Sequence, residues 1–148
     1  MSAMYNHPKI KCNVSHTRGE GFGRPLLEAS LSGRPVLASK WSGHLDFLSR
    51  KHSILLPGST IKVGVVNGLF CKDAEWFNVN EKRASELMHE VYSNYDKYGK
   101  KAMQLADINL KKYSKDSIFD SYTDIFNTYM PPKSQEVELQ LPPIEKIP

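Results

Sequence analysis

Apolar positions in the N-terminal part of the chain fall in short dense runs, and from Asn80 onward they fall in stripes of helical period. Ile10 to Ser15 reads as a short strand of mixed polarity, and Pro35-Val-Leu-Ala-Ser39 and Ser53-Ile-Leu-Leu-Pro57 read as buried strands. Helical segments are predicted between them, from Pro25 to Ser32 with Gly33 as a left-handed C-cap, and from His44 to Ser49. This β-α-β-α-β order predicts an α/β fold with a parallel sheet flanked by helices. Gly58 to Asn80 has no clear period and reads as loop plus one short strand, with Trp76-Phe77 more plausible as core than as a sugar-stacking platform. Asn80 is a natural N-cap for an amphipathic helix carrying Ala84, Leu87, Met88, Val91, Tyr92 and Tyr95 on one face. A second helix after Gly99 aligns Ala102, Leu105, Ala106, Leu110 and Tyr113, and a third from about Ser114 aligns Ile118, Tyr122, Ile125, Phe126 and Tyr129. Pro131-Pro132 stops it, so residues 1–130 are expected to form one domain and residues 131–148 an extended proline-rich tail.

The loop after the first strand carries the densest chemistry, Arg18-Gly-Glu-Gly-Phe-Gly-Arg-Pro-Leu-Leu-Glu28. Gly21 and Gly23 permit positive φ and let a ligand approach the backbone without meeting a Cβ. Pro25 suits the start of a helix, where the missing N–H costs nothing. Backbone N–H groups at such a junction favour an anion. Glu20 lies in the loop and Glu28 one turn into the helix, so they are expected to reach different parts of one ligand. Carboxylates accept hydrogen bonds from hydroxyls, and a nucleotide sugar offers two hydroxyl clusters separated by a pyrophosphate. In an open parallel sheet ligands gather at the carboxyl ends of strands, where both this loop and the later Ser42-Gly43 loop belong.

The E-x7-E pattern of Glu20 and Glu28, with Gly21-Phe22-Gly23, Leu27-Glu28-Ala29, Gly33-x-Pro35-Val36 and Ser42-Gly43-His44-Leu45-Asp46, resembles the retaining glycosyltransferases of family 4. The similarity runs from about Val14 to Tyr129. It implies the C-terminal, donor-binding domain of a GT-B fold, with a Rossmann-like sheet. By that resemblance Glu20 is the catalytic-site carboxylate that binds the donor sugar, and Gly21, Phe22 and Gly23 line the sugar and phosphates. Glu28 would take the ribose hydroxyls. Ser42 and Gly43, with Asp46, match a second glycine-rich turn in which Ser42 replaces the more usual glycine, leaving Gly43 to supply a positive φ. The implied function is transfer of a hexose-type sugar from a nucleoside diphosphate donor to an acceptor, without metal or other cofactor.

A GT-B enzyme has two such domains. The acceptor domain, and an Arg and Lys that neutralise the donor pyrophosphate, are therefore expected outside this sequence or on a complementing chain. The isolated chain is expected to be inactive. In the resembled family the last helices often cross to the other domain, which implies exposed aromatics on the Ile118 to Tyr129 face. The alternatives are a non-catalytic or split binding module and a nucleotide-sugar epimerase.

Composition narrows the rest. The 148 residues are 40% apolar and 24% charged, ordinary for one globular domain. A net charge of +4, spread along the chain, lacks the clustering that nucleic acid demands. Cys12 and Cys71 lack metal-ligand spacing, and the start of the chain shows no apolar signal-like core, so a cytoplasmic location is expected. Arg18, Arg24 and His44 are candidate phosphate contacts, while His16 lacks a motif-fixed role and His7, His52 and His89 lack metal spacing. Lys97, Lys100, Lys101, Lys111, Lys112 and Lys115 could meet anionic lipid, although a solvated helix face is the plainer reading.

Overall fold

The computed structural model describes residues 2–63 and 73–130, so the proline-rich tail and the middle of the Gly58 to Asn80 stretch lie outside the described residues. Met1–Ser114 clusters as one unit and Lys115–Pro148 as another, and each is taken by itself.

Strands β1 (Asn13–Ser15), β2 (Val36–Ser39) and β3 (Ile54–Leu56) pair in parallel in that order, with Val14 opposite Leu37 and Leu37 opposite Ile54. β2 is central and buried at all four positions, as a parallel strand covered on both faces must be. Its alternating side chains divide the core. Val36 and Ala38 pack with Tyr5 of α1 (Ser2–Tyr5), Leu26 and Ala29 of α2 (Arg24–Ser30), Phe47, Leu48, and Leu105 of α4 (Tyr95–Lys112). Leu37 points the other way, among Ile54, Leu56, Phe77, Val79, Ala84 and Val91. Burying each larger apolar side chain contributes roughly 1.5–3 kcal/mol, so the two half-cores press the loops at the β1 and β2 ends into fixed places.

Four boundaries differ from the sequence expectations. The Gly58 to Asn80 stretch holds two strands, β4 (Gly58–Lys62) and β5 (Glu75–Val79), paired antiparallel. Every residue of β4 is exposed, so no apolar alternation marks it. The helix expected from His44 to Ser49 is a 3-10 turn, Gly43–Asp46. α3 (Glu81–Ser93) begins as expected, with the Asn80 side chain accepting the Arg83 N–H at 2.9 Å. It ends at Asn94, whose φ of −124° and ψ of 39° leave the helical region and whose N–H and side-chain amide both donate to the Glu90 carbonyl. α4 therefore starts at Tyr95 and carries Gly99 inside it, tolerated at about 1 kcal/mol relative to alanine.

The buried face of α4 also differs. Leu110 is exposed, and Asn109 takes the inward position at 1% exposure, donating to Ser30 Oγ at 2.9 Å and the Phe47 carbonyl at 3.4 Å. On α3, Ala84 and Val91 are buried, but Tyr92 of the expected stripe is exposed. α5 (Lys115–Tyr129) has no buried residue; Ile118, Tyr122, Ile125, Phe126 and Tyr129 all remain exposed.

Candidate functional site

Because β1 and β2 are parallel neighbours, the loops that follow them emerge at the same sheet edge. The two strand ends meet through Thr17 Oγ1 and Ser39 Oγ, 3.4 Å apart. Beyond them the loops are clasped backbone to backbone. Ser42 Oγ accepts the Glu20 N–H at 2.9 Å and donates to the Glu20 carbonyl at 2.5 Å, and the Gly43 N–H donates to the same carbonyl at 3.2 Å. Glu20 is thus held by three hydrogen bonds through its own peptide groups.

Two glycines and one serine make this contact possible, though not in the expected way. A Cβ on Gly43 would lie 1.8 Å from the Gly21 carbonyl oxygen, so Gly43 is required by close approach and does not supply a positive φ. Ser42 itself takes that conformation, at φ 83° and ψ −172°, a region costly to any residue with a Cβ. Gly23 has φ 81° and caps α2, its carbonyl accepting the Leu26 and Leu27 N–H groups. Gly21 does not need a positive φ; a side chain there would meet only open space.

The junction leaves backbone donors unused. Among the described residues the N–H groups of Gly21, Phe22, Gly23 and Arg24 find no acceptor. The Phe22 ring turns inward to Phe47 and Tyr113, with centroids at 5.1 and 5.8 Å, and anchors the loop to the core. Glu20 is half-buried, and among the described residues its carboxylate has no ion pair or hydrogen bond. It is the acidic group left available at the clasp.

The other candidates have partners of their own. Arg24 Nε reaches Glu28 Oε1 at 3.0 Å, so a ligand hydroxyl approaching Glu28 must share it with a well-exposed guanidinium. The Arg18 guanidinium lies 5.1 Å from the Trp76 ring centroid. His44 is fully buried, with its Nε2 2.6 Å from the Ser39 carbonyl. A carbonyl only accepts, so Nε2 donates to it, and Nδ1 is buried without a partner. The structure therefore gathers Glu20, Gly21, Phe22, Gly23, Ser42 and Gly43 and engages Arg18, Arg24 and His44 elsewhere. His16 is exposed.

Sequence reasoning missed how β5 joins the site. The Phe77 N–H donates to the Arg18 carbonyl at 2.9 Å, and the Phe77 ring stacks on Trp41 at 6.2 Å with an interplanar angle of 4°. The only hint in the sequence was an indole immediately before Ser42-Gly43. Among the described residues no three His, Cys, Asp or Glu side chains gather as a metal cage would require. Nor is any described helix long and apolar enough to cross a membrane.

The sequence matches no protein-family model and no curated protein. Among solved structures the chain is similar to the Anabaena protein Alr3699/HepE, whose crystal structure is a complex with UDP-glucose. The TM-score is 0.56 at 18% identity, over 79% of this chain and 28% of that one. The chain has the fold of a partial GT-B Rossmann-like domain. At this identity the likeness is one of fold, and this chain spans little more than a quarter of the other protein's length.

Proposed function

We propose that this chain is the nucleotide-sugar-binding portion of a retaining family 4 glycosyltransferase, which transfers a hexose-type sugar from a nucleoside diphosphate donor. The observation that carries the reading is the clasp: it sets an unpaired carboxylate, Glu20, beside a run of unused N–H donors at Gly21, Phe22 and Gly23. Such donors suit a diphosphate, and a carboxylate suits sugar hydroxyls. The likeness to a protein solved with UDP-glucose supports the same ligand class.

In the reaction the bond between the sugar's anomeric carbon and the diphosphate oxygen breaks, a bond to an acceptor oxygen forms on the same face, and the acceptor's hydroxyl proton passes to the departing diphosphate oxygen. Negative charge grows on the leaving diphosphate. Fixed N–H groups that already point at it stabilise that charge without reorganising. Glu20 orients the sugar through its hydroxyls, and Glu28 exchanges its Arg24 pair for the ribose hydroxyls. The scheme routes no step through a metal or cofactor. Without the opposing acceptor domain, binding without turnover is expected of the isolated chain.

Calorimetry and thermal shift with UDP, GDP, ADP and their sugars test this, since a ligand that binds only the folded state raises the melting point. Glu20→Ala should weaken sugar-bearing donors selectively, and Glu28→Ala should weaken nucleotides and donors alike. If neither substitution alters binding, both assignments fall. A second reading, a binding module that complements a separate chain, draws on the exposed apolar row of α5. Sedimentation of the chain with and without candidate partner chains separates the two.

A further inference from the structure

We propose that the rim formed by Trp41 and β5 binds the ring of a carbohydrate acceptor, stacked on the exposed indole of Trp41 beside Glu20. The inference rests on the donor reading for its orientation.

The rim is part of a closed circuit of contacts. Ser42 Oγ bonds the Glu20 peptide groups, Trp41 adjoins Ser42 and stacks on Phe77, the Phe77 N–H bonds the Arg18 carbonyl, and Arg18 leads through Gly19 back to Glu20. Trp41 therefore belongs to the Glu20 side of the site. The ribose carboxylate Glu28 lies beyond the glycine loop and one turn into α2, so a nucleobase continues away from this rim.

The chemistry of the rim matches a sugar. Phe77 is buried at 6% exposure and does the packing, whereas Trp41, resting on it, stays 39% exposed. An aromatic face is negatively polarised and receives the weakly positive C–H face of a pyranose. Ring hydroxyls then project sideways, where the Glu20 carboxylate accepts and the Arg18 guanidinium, standing over Trp76, donates. A purely apolar partner would leave the Glu20 carboxylate without a donor.

Trp41 lies at this rim and Trp76 on the other face of β5, so tryptophan emission is read together with calorimetry for each oligosaccharide. The full chain is titrated with maltotetraose, cellotetraose and mannotetraose, and separately with UDP and UDP-glucose. At least one oligosaccharide should change the emission saturably, while UDP alone leaves it unchanged. Trp41→Ala should weaken the response about tenfold. Trp41→Phe keeps the stack on Phe77 and should weaken it less, with calorimetry as the readout. Silence to all three oligosaccharides, or an equal response to UDP, overturns the assignment. Calorimetry with UDP-glucose is scored independently, so a failed donor site and a failed acceptor rim give different results.

Discussion

Gly43→Ala is the sharpest perturbation of the clasp. The added methyl would sit 1.8 Å from the Gly21 carbonyl oxygen, 2.7 Å from its carbon and 3.1 Å from the Glu20 oxygen. All three are backbone atoms, so no side chain can swing aside; the loops must part. Parting them breaks the Gly43 N–H bond and both Ser42 hydroxyl bonds to Glu20. At roughly 0.5–1.5 kcal/mol net for each bond, the loss is about 2–4 kcal/mol, a large share of the ~5–15 kcal/mol that holds a domain folded. Urea unfolding followed by circular dichroism should show the midpoint falling by about 1–2 M. Gly19→Ala is the control, because a Cβ there meets nothing within 4 Å and the backbone needs no positive φ. Donor affinity should fall with Gly43→Ala and hold with Gly19→Ala. If the two variants melt together and bind alike, the loops are not clasped as described.

Asn109→Leu should fill the same space yet leave the Phe47 carbonyl and Ser30 Oγ without their donor, at a cost of about 1–3 kcal/mol in thermal or urea melts. Tyr98 donates its hydroxyl to Glu90 at 2.5 Å, and that bond, with burial and the carboxylate charge, pushes its phenol up to about 12 from 10.0. Because the folded value is raised, this contribution to stability is full below pH 10 and is lost as pH climbs through about 12. Ultraviolet titration should find one late-ionising tyrosine that Glu90→Gln restores toward normal. The described hydrogen bonds that hold the Glu20 loop lie within Met1–Ser114, so a chain ending at Ser114 should keep its UDP-glucose affinity while losing the exposed α5 row; a large loss of affinity would contradict that self-sufficiency.

The parallel sheet was legible because Val36 to Ser39 and Ile54 to Leu56 are dense apolar runs between helix signals, and burial on both faces demands such runs. The antiparallel β4–β5 pair was not legible, because β4 is exposed throughout and only one face of β5 packs inward. Leu110 and Asn109 exchanged expected places because hydropathy ranks leucine inward, while Ser30 and the Phe47 carbonyl offer a buried amide its partners. Within the candidate site, the glycines were conspicuous, but their reasons were not. Sequence suggests positive φ at any glycine; only the fold shows that Gly43 is needed for clearance and Gly23 for torsion.

Ser42 joins these threads. A glycine there would take φ 83° without penalty, whereas serine bears a strain on the order of 1–3 kcal/mol. Two net hydrogen bonds to Glu20, each worth about 0.5–1.5 kcal/mol, offset most of that. The balance leaves stability almost unchanged and gives this loop a side-chain grip on Glu20 that glycine would lack. Strain retained at near-zero net cost, on the residue that fixes the unpaired Glu20 carboxylate, is what a site would show if the placement of Glu20 mattered more than the ease of the turn.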